Sequence, residues 1–257
     1  MKLPFILIFF LIQSISVQAG IYLDSFQYHH GDTVLEGYLA YDASNRSKRP
    51  GVLIVHDSTG LGPYVKKRAD ALAKLGYVAM AIDMYGVDSR PASSNEASQR
   101  AAFLKSNRDL IRDRALVGLG VLTKHPLTDT KRLAAIGYSL GGTVVLELAR
   151  SGAELRGVVS FYGDPHSPVP DETKKIKGKV LIFHGGQDPF VSEDKLDAFR
   201  REMETGEVDW QLVSYESAYH GFANPESGTD PSGGMAYHEE ADLKSWVAMR
   251  RFFKKIF

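Results

Sequence analysis

Short, continuously apolar runs alternate with amphipathic stretches along most of this chain, and the two periods assign its elements. "GVLIVH" (51–56) and "YVAMAID" (77–83) lack alternation, which predicts strands buried on both faces. Between them, "PYVKKRADALAKLG" (63–76) sets Val65, Ala69, Leu72 and Ala73 on one face of a helix. A long helix is predicted over 95–124, with Ile111, Ala115, Leu119 and Leu122 at helical spacing. "KRLAAIGY", "LRGVVSFYG", "KGKVLIFHG" and "VDWQLVSY" read as further strands, and "SLGGTVVLELARSG" between the first two of them as a helix. "SEDKLDAFRREME" (192–204) opens with Ser192 as a cap and acidic residues in its first turn. The last helix, 239–255, is predicted to bury Leu243, Trp246, Val247 and Phe253.

Buried strands separated by helices imply an α/β fold: one mostly parallel central sheet with helices on both faces. The opening strands, "IYLDSFQYH" and "TVLEGYLAY", read instead as an antiparallel hairpin at one sheet edge. In such sheets ligands collect at the carboxyl ends of the strands, so the polar residues there carry the candidate chemistry.

Gly137-Tyr138-Ser139-Leu140-Gly141 is a G-x-S-x-G turn between a strand and a helix. Such a turn strains the serine backbone and lifts its hydroxyl clear of the sheet at the mouth of the following helix. The Leu140 N–H, at that helix start, can donate to a developing oxyanion. The alternative is a glycine-rich turn that only packs helix on sheet. A serine nucleophile needs a base, and the base an orienting carboxylate. Of eight histidines, His220 in "SYESAYHGFANP" lies after the last strand and completes the order Ser, Asp, His. His56 ends another strand and supports the site; His184 reads as structural, and the others as surface or loop residues. Two acids compete. Asp188 in "HGGQDPFV" is favoured over Asp164 in "FYGDP" because its glycine-rich loop lets a short carboxylate approach the ring. The second oxyanion donor is expected from "DSTGLGPY", at the Ser58 N–H. Asp57 is expected to face away from the nucleophile or to bond its own loop, since an inward carboxylate would repel the oxyanion.

Composition narrows the classes. The 257 residues balance 31 basic against 31 acidic side chains, so no net field draws the chain to nucleic acid. With no cysteine, disulfides, thiolate metal sites and a thiol nucleophile are excluded. No ligand cluster or phosphate loop appears, so neither metal nor organic cofactor is expected. "MKLPFILIFFLIQSISVQAG" has a positive start, an apolar run of about ten residues and small residues before Gly20. It reads as a signal peptide, 1–19, cleaved near Ala19–Gly20 to release a single exported domain, 20–257, without a membrane span. An uncleaved anchor is the alternative, although a span needs roughly 20 apolar residues.

The ordered motifs, from "GVLIVHDSTGLGPY" through "IGYSLGG" and "VLIFHGGQDPFV" to "AYHGFANP", resemble the dienelactone hydrolase family of α/β-hydrolases. The resemblance puts the family's nucleophile, acid and base on Ser139, Asp188 and His220, and its oxyanion donors on the Leu140 and Ser58 amides. It also implies departures. Members that open dienelactones use cysteine where Ser139 stands and glutamate where Asp57 stands. Their substrate-carboxylate arginine aligns with Asn224, and a second such arginine with Arg100. Asp57, Tyr138, Asn224 and Arg100 are thus the candidate substrate-binding residues. The expected activity is hydrolysis of small carboxylic esters or lactones through an acyl-enzyme, by a monomer or homodimer. A small serine peptidase is the alternative enzyme, and a non-catalytic binding protein on this fold the alternative class. The loop 221–240 either walls the pocket or is a solvated excursion.

Overall fold

The computed structural model describes residues 16–18 and 20–257. The rest of the expected signal peptide and its cleavage bond lie outside the described residues. Among the described residues nine strands form one sheet: β1 (Ser16–Gln18), β2 (Ile21–His30), β3 (Thr33–Asp42), β4 (Arg49–Val55), β5 (Val78–Ile82), β6 (Thr128–Tyr138), β7 (Gly157–Phe161), β8 (Lys179–Gly185) and β9 (Trp210–Tyr215). Their spatial order is β1-β2-β3-β5-β4-β6-β7-β8-β9. The expected hairpin, β2 with β3, is antiparallel and joins the sheet through β5, while every pairing from β5 to β9 is parallel.

Among the described residues six α-helices cover the sheet: α1 (Pro63–Lys74), α2 (Ser94–Ser106), α3 (Arg108–Lys124), α4 (Leu140–Arg150), α5 (Glu193–Thr205) and α6 (Glu239–Ile256). Strand alternation divides the core between them. In β4, Val52 and Ile54 belong to one apolar cluster with Leu72 of α1 and Phe253 of α6. Leu53 and Val55 belong to the other, with Ile111 of α3, Val144 of α4 and Phe199 of α5. Each fully buried aliphatic side chain of this kind contributes about 1.5–3 kcal/mol. Both faces of the central strands are therefore apolar, and polar function is confined to the strand ends.

Three local expectations are corrected. The helix predicted over 95–124 is two helices. Asn107 takes φ −114° and ψ 72° between them, and its side-chain amide donates to the Phe103 carbonyl at 2.7 Å, replacing a helical bond. Ser192 holds the N-cap position of α5, but its hydroxyl makes no capping bond. In α6 the buried face is Ala241, Ser245, Met249 and Phe253, whereas Leu243 and Val247 are 60% and 42% exposed. The helix is rotated this way because Asp242 pairs with Arg68 at 2.5 Å and the Arg68 guanidinium lies 5.0 Å from the ring centre of half-buried Trp246.

Helix α4, which follows the serine turn, is buried on every side. Its two charged residues are accommodated because they are paired. Arg150 donates to both Glu202 oxygens at 2.8 Å and to Glu147 at 3.1 Å, and Glu147 also accepts two bonds from Arg112. Glu202 lies on α5, so this cluster ties the helix after Ser139 to the helix after Asp188.

Candidate active site

Strand β6 is forced into its turn by what surrounds it. Ser139 sits at φ 52° and ψ −110°, a conformation that costs a non-glycine residue about 1–3 kcal/mol. A Cβ at Gly137 would fall on the Gly141 backbone, and one at Gly141 on the Val55 and His56 carbonyls. Both flanking glycines are thus required sterically, and the end of β4 is brought against the first turn of α4. Gly142 is equally constrained: a Cβ there would meet Gly163 Cα at 2.8 Å.

The turn aims Ser139 at a histidine. Its Oγ lies 2.7 Å from His220 Nε2, and His220 Nδ1 lies 2.8 Å from Asp188 Oδ2. A carboxylate only accepts, so Nδ1 carries the proton and Nε2 is free to accept from the serine hydroxyl. Asp188 Oδ1 accepts from the Phe190 N–H at 2.8 Å, which holds the carboxylate in place. All three residues are buried. The competing acid is occupied elsewhere: Asp164 pairs with Lys195 at 2.6 Å and accepts from the His166 N–H. Burial alone would raise its pKa, but Lys195 and that N–H hold it below the usual carboxylate range.

Among the described residues, neither the Ser58 nor the Leu140 N–H has an acceptor within the protein. In sequence they flank the close contact between Gly141 and the end of β4. Asp57 turns into its own loop as expected, accepting from the Thr59 N–H and hydroxyl at 2.8 and 2.6 Å.

The substrate-binding expectations fare less well. Asp57 Oδ2 accepts from Asn224 Nδ2 at 3.2 Å, and Asn224 Oδ1 accepts from the Glu226 N–H. Both side chains are spent on tying the 57–59 loop to the 221–226 loop. Tyr138 is fully buried beneath the turn, with its ring stacked 4.7 Å from Phe161 and edge-on to Tyr64. It is a core residue, and burial pushes its phenol up to about 12. Arg100 makes no hydrogen bond or ion pair with Ser139, Asp188 or His220 among the described residues; its charge opposes the upward shift that burial and Asp57 impose on the Tyr85 phenol. Tyr85 in turn donates to the Ser58 carbonyl at 2.9 Å.

Sequence reasoning missed the aromatic cage around His220. Tyr162 and Phe190 meet the imidazole edge-on at 5.2 and 5.1 Å. Tyr162 stands at φ 42°, a second strained residue directly after a strand, and "FYG" was its only signal. Phe190 is 51% exposed and Met235 39%, beside an imidazole that is buried. Met235 bridges to His220 through the backbone, and a Cβ at Gly234 would meet Pro189 at 2.6 Å. The loop 221–240 therefore divides: 234–236 wall the site, while 225–233 are mostly exposed.

A cleft of about 200 Å³ lined by Asp57, Thr59, Tyr64 and Glu226 opens beside the Ser58 loop. A larger concavity of about 410 Å³, between Thr173, Phe199 and Glu202, includes none of Ser139, Asp188 and His220. Among the described residues no group of three His, Asp or Glu side chains is placed to hold a metal ion, and no helix is long and apolar enough to cross a membrane.

Comparison with known proteins agrees with this fold. The model of the dienelactone hydrolase family matches residues 35–257. A Bradyrhizobium protein named "Probable 2-oxo-3-(5-oxofuran-2-ylidene)propanoate lactonase" is 30% identical over 200 residues, 73% of this chain and 79% of that one. Among solved structures, one titled "m3DLH" superposes with a TM-score of 0.89 at 35% identity, covering 93% of this chain and all of its own. A dienelactone hydrolase-like promiscuous phosphotriesterase from metagenomic libraries gives 0.87 at 34% identity, with the same coverage. On the strand order, the serine turn and a family match spanning nearly the whole described chain, this protein belongs to the dienelactone hydrolase family of α/β-hydrolases, enzymes that hydrolyse carboxylic esters.

Proposed function

We propose that the protein cleaves small, uncharged carboxylic esters and lactones by transferring the acyl group to Ser139 and then to water. The observation that carries this is the continuous chain from Ser139 Oγ through His220 to Asp188, with links of 2.7 and 2.8 Å. In the first step His220 Nε2 takes the hydroxyl proton as Oγ bonds to the carbonyl carbon. The carbonyl electron pair moves onto oxygen, where the Ser58 and Leu140 N–H groups receive it; each such donor contributes roughly 2.7–4 kcal/mol. Collapse expels the alkoxide, which takes the proton from His220; with a lactone it stays tethered to the acyl chain. Water, deprotonated by the same nitrogen, then releases the acid and restores Ser139. Asp188 holds the imidazole tautomer throughout.

The residue at position 224 favours a neutral substrate. The resemblance aligns the substrate-carboxylate arginine of members that open dienelactones with Asn224, whose amide is already engaged by Asp57 and Glu226. Dienelactone itself therefore fits poorly. The exposed faces of Phe190 and Met235 lie on the side of the proton donor, where the departing alcohol would rest.

Short nitrophenyl esters are expected to be hydrolysed with an initial burst of nitrophenolate, and aminoacyl-naphthylamides to be left intact. The reverse preference would establish the peptidase instead. Phe190→Ala is expected to lower kcat/KM for benzyl esters by about tenfold, the scale of a lost apolar contact of 1–3 kcal/mol. Methyl esters of the same acid should change by less than about twofold. Equal losses on both would remove Phe190 from the alcohol side.

Export is part of the same proposal and rests on the leader "MKLPFILIFFLIQSISVQAG". When the chain is expressed with its own leader in a Gram-negative host, the periplasmic protein should have Gly20 as its first residue by intact mass. Retention of residues 1–19 would contradict it.

A further inference from the structure

We propose that His56 is a positioning residue that fixes the direction of the Ser58 N–H, so that half of the oxyanion site is set before substrate arrives. His56 directly follows β4 and is fully buried. Its Nε2 receives the Met84 N–H at 3.0 Å, so that nitrogen carries no proton. The proton is then on Nδ1, which donates to the Asp57 carbonyl at 2.5 Å. That carbonyl and the Ser58 N–H belong to one planar trans peptide and point in opposite directions. Holding the oxygen therefore aims the hydrogen.

The segment that holds His56 also holds the next peptide. Tyr85 donates its hydroxyl to the Ser58 carbonyl at 2.9 Å, and its ring lies 5.1 Å from the His56 ring. Met84 and Tyr85 follow β5 and are anchored in their turn by Asp83, which accepts from the Tyr85 and Gly86 N–H groups at 2.8 and 3.2 Å. Ser58 is thus pinned on both sides from one buried turn, across the close contact of Gly141 with the end of β4. A donor fixed in this way needs no reorganisation when charge develops on the substrate oxygen.

The inference rests on Ser58 acting as an oxyanion donor, and two near-isosteric variants separate the roles of the ring nitrogens. His56→Asn places an amide N–H where Nδ1 stands and keeps the bond to Asp57. His56→Gln places an amide oxygen where Nε2 stands and keeps only the bond from Met84. His56→Ala and His56→Gln are expected to lose kcat by about 10- to 100-fold with KM within about twofold, the scale of a misplaced catalytic group. The affinity for a trifluoromethyl ketone, which forms a tetrahedral adduct, should fall by the same factor. His56→Asn should recover most of both. Tyr85→Phe, which removes one hydroxyl and little packing, should give a smaller loss in the same two quantities.

Equal behaviour of the Asn and Gln variants, or losses that fall on KM alone, would overturn the proposal. So would unchanged kcat and ketone affinity in all four variants; with ester turnover still dependent on Ser139, that outcome would leave the hydrolase function standing. A wild type that turns over no ester would end both.

Discussion

Ser139→Ala is expected to abolish labelling by a fluorophosphonate and to lower kcat on nitrophenyl esters by about 10⁶-fold, the loss that follows removal of a serine nucleophile. Some acceleration over water should persist, because the Ser58 and Leu140 N–H groups and the substrate contacts are untouched. The fold should be retained. Among the described residues the only side-chain hydrogen bond lost is the one to His220, and alanine tolerates the turn no worse than serine. The strain at φ 52° adds a second, opposite effect. Ser139→Gly relieves it and should raise stability by about 1 kcal/mol, read as a shift in the denaturation midpoint, while activity is equally lost. Stability that is gained as activity vanishes is the mark of a residue held for chemistry. A Ser139→Ala protein that still reacts with the fluorophosphonate would refute the assignment.

Asp188→Asn is expected to lower kcat by about 10⁴-fold with little change in KM or fold. The reason lies in how the carboxylate is held. Oδ1 already accepts from the Phe190 N–H, so an amide at this position must put its oxygen there and its NH₂ toward His220. Nδ1 then has to accept, the ring proton moves to Nε2, and the imidazole can no longer take the proton from Ser139. Asp164→Asn, by contrast, breaks an ion pair with Lys195 at 2.6 Å outside this chain and should alter kcat by less than about threefold. Comparable losses in the two variants would show that the orienting acid is not unique to Asp188.

The central strands β4 to β8 follow the expected runs because a strand buried on both faces must be continuously apolar, and that pattern is local. The serine turn was legible for the same kind of reason: only glycine fits at 137 and 141, so the spacing is a steric signature. Where the reading went astray, a distant partner decided. Leu243 and Val247 repeat at helical spacing like core residues, yet the Asp242–Arg68 pair rotates them outward. Tyr138, inside the motif, points down into the aromatic core, and Asn224 spends its amide on Asp57. Tyr162, Phe190 and Met235 carried no chemical motif and converge on His220 from three different segments.

By itself the sequence determined the strand and helix order, the strained turn at Ser139 and the succession of serine, acid and histidine along the chain, since apolar periodicity and glycine spacing act over a few residues. Only the tertiary structure put Asp188 rather than Asp164 against His220, chose the face of the last helix and set the tautomer of His56. Each of those depends on which group from a remote segment comes within about 3 Å, the reach of a hydrogen bond.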